Sequence, residues 1–178
     1  MHYFSVQNKK LLYTSQPPAG LESFFQRTDW LLPPVISNLH RNFQAWGLLG
    51  IAPGPVTPDR VWIGAEGALA LRFAPFAAPK PLLQIGLAPD LAAWLVLLDK
   101  RMETFVVVAR ARSVWSGQAL AAALTFMTPA FLPQALVALP PDNWERVAQA
   151  VAIAVTDGPL MGTSQDRHWQ AAHPPGSK

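Results

Sequence analysis

Apolar and polar positions alternate at the start of the chain. His2, Phe4 and Val6 interleave with Tyr3, Ser5 and Gln7, and Leu11-Leu12-Tyr13-Thr14 returns beyond Asn8-Lys9. A period of two broken by an Asn-containing turn predicts a β-hairpin over residues 2–7 and 10–15. Gln16-Pro17-Pro18-Ala19-Gly20 reads as a linker, and Leu21, Phe24 and Phe25 then share one helical face. Pro33-Pro34 suits a first helical turn. From there Val35, Leu39, Phe43 and Trp46 recur at helical spacing, with Gly47 placed as a C-cap.

The middle of the chain changes period. Gly54, Pro55 and Pro58 exclude helix and predict a stiff loop. Val61-Trp62-Ile63 is β-branched or aromatic and reads as a strand. Gly67, after Glu66, supplies a residue tolerant of positive φ, and Leu69, Leu71 and Phe73 alternate with Ala70 and Arg72 as the return strand. A second hairpin hung from a proline-rich loop is therefore expected.

Helical spacing dominates the remainder. Pro89-Asp90 opens an apolar run through Leu91, Trp94, Leu95 and Leu98. Thr104 to Ala109 is β-branched enough for a strand, with a helix as the alternative. Ser116 starts a helix carrying Leu120, Leu124 and Met127, and Phe131–Leu139 makes a short one. Asp142 and Glu145 are spaced as a capping box for a helix through Trp144, Ala148, Val151 and Val155. From Thr163 onward the chain is polar and predicts a flexible tail. The fold class is α+β, mainly helical, with a short N-terminal hairpin over 1–16, a helical domain with a small central hairpin over 17–160, and a tail over 161–178.

The order of these patterns resembles the C-terminal lobe of eukaryotic-like protein kinases. That family carries H-R-D-x-K-P-x-N, a strand, an acidic-Gly turn, a second strand and D-F-G. Val56, Pro58, Val61, Ile63 and Gly67 fall on its scaffold positions, and Asn38-Leu39-His40 falls in the long helix before the loop. The chemical positions differ. Pro55 stands for the catalytic Asp, Thr57 for the Lys, Arg60 for the metal-binding Asn, and Phe73-Ala74-Pro75 for D-F-G. Kinase catalysis is metal-assisted positioning and charge stabilisation, which these residues cannot supply. The resemblance thus implies a truncated, degenerate pseudokinase without catalysis or cofactor. It further implies that Asp90, at the head of the buried helix, braces the loop backbone, and that Pro141-Asp142-Asn143-Trp144-Glu145-Arg146 corresponds to a C-terminal D-P-x-x-R-W segment. Pro58, Trp62, Gly67, Asp90 and Trp144 are then structural residues.

Composition adds a reason to look for a partner. The chain is 51% hydrophobic and only 14% charged, against about 25% charged in an ordinary domain. Its 18 prolines imply short elements and stiff connections. The 14 Lys and Arg are scattered, so no basic stripe for nucleic acid forms. The longest apolar run, Leu91 to Leu98 between Asp90 and Asp99, falls well short of the ~20 residues of a membrane span. No cysteine is present, so disulfides and thiolate metal sites are excluded. The four histidines are too dispersed for a metal set; His40 reads as a packing residue. Ser164, Asp166 and His168 are neighbours on a polar segment that cannot hold triad geometry.

The expectation is a cytoplasmic, non-catalytic interaction or assembly module. Its partner is another protein chain, in a hetero-complex or a homodimer, and meets Phe4, Val6, Leu12 and Tyr13 on the N-terminal hairpin. Two other readings remain: a small helical accessory subunit unrelated to kinases, or an atypical nucleotide or phosphate binder using Arg60 and Arg72.

Overall fold

In a computed structural model of the chain, the described residues are 2–7, 10–14, 16–29, 31–52, 54–73, 80–81, 86–138 and 143–156. Strands β1 (His2–Gln7), β2 (Lys10–Thr14), β3 (Leu21–Ser23), β5 (Val61–Gly64) and β6 (Leu69–Phe73) form one antiparallel sheet in the order β2-β1-β6-β5-β3. Helix α1 (Leu32–Leu49) precedes a short strand β4 (Ile51–Ala52), which pairs with β7 (Lys80–Pro81). Helices α2 (Ala88–Asp99), α3 (Thr104–Arg112), α4 (Gly117–Leu124), α5 (Gln134–Val137) and α6 (Asn143–Thr156) follow. The architecture is α+β and mainly helical, as its periodicities predict.

The two expected hairpins are one sheet. β1 pairs with β6 through His2 with Phe73, Tyr3 with Arg72, Phe4 with Leu71 and Ser5 with Ala70. One edge of the N-terminal hairpin is therefore taken, and among the described residues no strand pairs with the outer edge of β2. Along β5 the pleat puts Val61 and Ile63 fully into the core while Trp62, on the other face, is half-buried and meets Tyr3 edge-to-face at 5.2 Å. Val35, Ile36 and Leu39 of α1 share that core with Val61, Ile63, Leu69 and Leu71.

Gly67 joins the sheet to α1. Its φ is 75°, and a Cβ there would lie 2.6 Å from the Pro34 carbonyl carbon and from the Val35 nitrogen. Both the turn and the close approach of the helix require glycine. Asn38 Nδ2 adds a 3.3 Å bond to the Glu66 carbonyl.

Helix α2 is the axis of the helical half. Every residue from Leu91 to Asp99 is buried, and α3, α4, α5 and α6 pack around it. A helix apolar on all sides needs such enclosure. Ser116 caps α4, its hydroxyl accepting from Ala119 N–H at 3.2 Å. His40 packs edge-on against Trp115 at 5.4 Å.

Local expectations change at Leu21–Arg27 and at Gly47, and the open choice between strand and helix at Thr104–Ala109 is settled. Leu21–Arg27 is not helical: Leu21, Glu22 and Ser23 pair with β5 as β3, and a turn follows. Arg101 donates to the carbonyls of Phe24 (3.2 Å), Phe25 (2.9 Å) and Arg27 (2.8 Å), which fixes that turn. Thr104–Ala109 is helix, because Val107, Val108 and Ala111 are buried on one face and that packing outweighs β-branched preference. Helix α1 passes Gly47 and ends at Gly50, where φ is 63° and the amide caps on Gly47 and Trp46 carbonyls. The Asn8-Lys9 turn, Asp142 of the expected capping box and the tail over 161–178 lie outside the described residues. No helix among the described residues is long and apolar enough to cross a membrane.

Candidate functional site

The loop between β4 and β5 is built by its own arginine. Its bend starts at Gly54, with φ of 78°. Val56 and Pro58 are buried and anchor it on the core, while Pro55 and Asp59 are exposed. The Thr57 carbonyl accepts from the amides of Arg60 (3.0 Å) and Val61 (3.2 Å), closing a turn that feeds β5. The Arg60 guanidinium then donates backwards to the Pro55 carbonyl and forwards, through Nε at 2.9 Å, to the Arg72 carbonyl. Arg72 N–H returns a 2.7 Å bond to the Arg60 carbonyl. One side chain thus ties the loop's entry to the sheet.

Asp90 comes to this loop from the first turn of α2. Burial pushes its carboxyl up to about 7, and the Arg60 charge pulls it part of the way back. Burial lowers the pKa of Arg60, while Asp59 and Asp90 hold it up. No hydrogen bond to the Asp90 carboxylate is found among the described residues. The position expected to brace the loop backbone instead sets a half-buried carboxyl against the field of the arginine that does the bracing.

Of the expected structural residues, Pro58 lies in the loop and Asp90 beside Arg60, whereas Gly67 lies at the opposite end of the β5–β6 hairpin, against the first turn of α1. Trp62 lies on the far face of the sheet, and Trp144 packs against the core from α6. Pro55 and Thr57 lie in the loop with Arg60. Of Phe73 only the backbone, paired with His2, is described. Phe4, Val6, Leu12 and Tyr13 are placed by backbone register alone: Phe4 opposite Tyr13 and Leu71, Val6 opposite Leu11, and Leu12 opposite Ser5. Their side chains lie outside the described residues. Among the described residues no three His, Cys, Asp or Glu gather where a metal could be held.

A second polar cluster was not singled out by sequence reasoning. Asp99, its side chain wholly buried at the end of α2, accepts from Arg146 at 2.9 Å. Arg146 also reaches Thr104 Oγ1 (2.9 Å) and Asn143 Oδ1 (2.6 Å), and Asn143 Nδ2 donates to the Val96 carbonyl at 3.3 Å. The available signal was Asp99 closing an entirely apolar run, since a carboxylate there must be paired if the helix is buried.

Compared with known proteins, the chain matches no family model, no characterised protein and no solved structure.

Proposed function

We propose that the chain is a non-catalytic, pseudokinase-like module that binds another protein through its sheet. The observation that carries this reading is the position of β2 at the edge of the five-stranded sheet, with no strand on its outer side among the described residues. An open edge offers a row of backbone donors and acceptors and is a ready site for strand addition. The low charge content supports a permanently covered surface.

The loop supports the absence of phosphoryl transfer. Pro55 and Arg60, at the places of the family's catalytic Asp and metal-binding Asn, offer neither a general base nor a metal ligand, and the Arg60 side chain bonds two carbonyls of the chain itself. The phosphate-binding reading would need Arg60 to leave those carbonyls.

Two measurements test the proposal. Mg-ATP at 100 times a plausible dissociation constant would add about 2.7 kcal/mol if it bound; no rise in melting temperature is expected, and a saturable rise overturns the reading. The chain purified from its native source should carry a co-eluting partner. Val6→Lys with Leu12→Glu should remove that partner while far-ultraviolet circular dichroism keeps its helical signal. A monomer whose interactions ignore both substitutions does not bind this way.

A further inference from the structure

The hydrogen bonds inside the sheet fix which backbone groups of its edge strands turn outward. In an antiparallel ladder bonded and non-bonded pairs alternate, so a residue that bonds the strand on one side does not bond the strand on the other. Arg72 N–H bonds the Arg60 carbonyl and Gly64 N–H the Ala68 carbonyl, both in the register that pairs Val61 with Leu71. Ala70 and Arg72 of β6 thus bond toward β5, and Leu71 and Phe73 bond toward β1, opposite Phe4 and His2. Tyr3, Ser5 and Gln7 of β1 then bond toward β2, where they face Thr14, Leu12 and Lys10. The alternate residues of β2, Leu11 and Tyr13, turn their N–H and C=O groups outward.

The two edges of the sheet differ in how these outward groups are met. At the far edge Phe24 N–H bonds the Val61 carbonyl, so the same alternation turns Leu21 and Ser23 of β3 outward. Leu21 N–H bonds the Pro18 carbonyl at 3.2 Å, and the Ser23 carbonyl accepts from the amides of Gln26 (3.0 Å) and Arg27 (3.1 Å). Arg27 Nη1 closes over the Gly20 carbonyl at 2.8 Å. The three-residue β3 is therefore sealed by its own flanks. For the outward groups of Leu11 and Tyr13 no backbone bond is found among the described residues. β2 contains no proline, and its one charge, Lys10, stands at its end. It lacks the devices that keep an edge from pairing with its own copies.

We propose that the strand added to β2 is β2 of a second copy of this chain, antiparallel to it about a twofold axis at Leu12. The inference rests on the sheet-edge reading above and names the partner. In this register Leu11 of each copy exchanges both of its bonds with Tyr13 of the other, so their outward groups are all matched. A shift of two residues either way sets Leu11 or Tyr13 against a residue beyond the strand. Lys10 falls opposite Thr14, which keeps the two lysines at opposite ends of the seam. A twofold contact is isologous and closes on itself. Both edges of the joined sheet are then β3, which its flanks seal, so assembly stops at the dimer.

The test uses the full chain. Sedimentation of the parent should give twice the chain mass. Tyr13→Pro removes an outward N–H and spares the ladder to β1, so it should give a monomer with the parent's circular dichroism. The chain has no cysteine of its own, which allows a second readout. A non-bonded antiparallel pair holds its Cα atoms about 4.5 Å apart, within disulfide reach, so Leu12→Cys should cross-link to a dimer under mild oxidation. Lys10→Cys should not, since its two copies lie roughly 14 Å apart at ~3.4 Å per residue. If Tyr13→Pro melts far below the parent, the contrast between the two cysteine variants decides alone. A dimer that survives a well-folded Tyr13→Pro, or cross-links equally well through position 10, overturns the proposal. A monomeric parent whose co-purifying protein is lost on Tyr13→Pro overturns the second copy and keeps the sheet-edge reading. A monomer that holds nothing at this edge overturns both.

Discussion

The two ends of α2 each carry an aspartate facing an arginine from a distant segment, yet the two pairs are solved differently. At the C-terminal end, Arg146 is aimed at Asp99, bonds it directly at 2.9 Å, and uses its other donors on Thr104 and Asn143. At the N-terminal end, Arg60 directs its donors at the carbonyls of Pro55 and Arg72, and Asp90 feels only its charge. The first pair joins three helices; the second lets an arginine shape a loop and leaves a carboxyl near neutrality. The difference shows that two like charges on one helix are settled by where the partner's donors point. Residue type and proximity do not decide it.

Breaking the C-terminal pair should have the larger effect. Arg146→Met leaves Asp99 buried without its cation, and this should cost about 3 kcal/mol, the low end for a broken buried pair because Arg146 is itself half exposed. Urea unfolding measures it. Adding Asp99→Asn should recover a large part of the loss; strict additivity in the double-mutant cycle would mean that the pair does not couple.

The N-terminal pair should reveal itself through pH. The carboxyl of Asp90 lies above its ordinary value of 3.8, near 7, in the folded chain. The folded state then holds a proton that the unfolded state releases, so stability falls as pH rises through this window and levels off above it. A decline of about 1–3 kcal/mol between pH 4 and pH 8 is expected from Asp90. Asp90→Asn should flatten that decline and leave the variant more stable than the parent at pH 8. This reverses the sign expected of a carboxylate that braces the loop through backbone amides. A variant destabilised equally at pH 5 and pH 8 restores the bracing role.

The smallest effect tests the loop itself. Arg60→Met removes two bonds to carbonyls and the field on Asp90, costing about 1–2 kcal/mol. It should raise the Asp90 carboxyl further and carry the pH decline upward. Hydrogen exchange at Val61 and Arg72 should accelerate more than at Val107. If Arg60→Met changes neither the exchange nor the pH profile, the arginine is not the staple.

Much of this arrangement was legible along the chain. Alternation placed β1, β2, β5 and β6, helical spacing placed α1, α2, α4 and α6, and Gly67 and Ser116 fell where a turn and a cap need them, because these depend on neighbours within a few residues. Tertiary structure decided the rest. Leu21–Ser23 became a strand because β5 lay beside it. Thr104–Ala109 became a helix because α2 and α6 offered its valines a buried face. Gly47 was passed over because nothing stopped the helix before Gly50 could turn it. The joining of two hairpins into one sheet, and the partners of Asp90 and Asp99, rest on contacts between residues far apart in sequence, and local pattern carries no term for those.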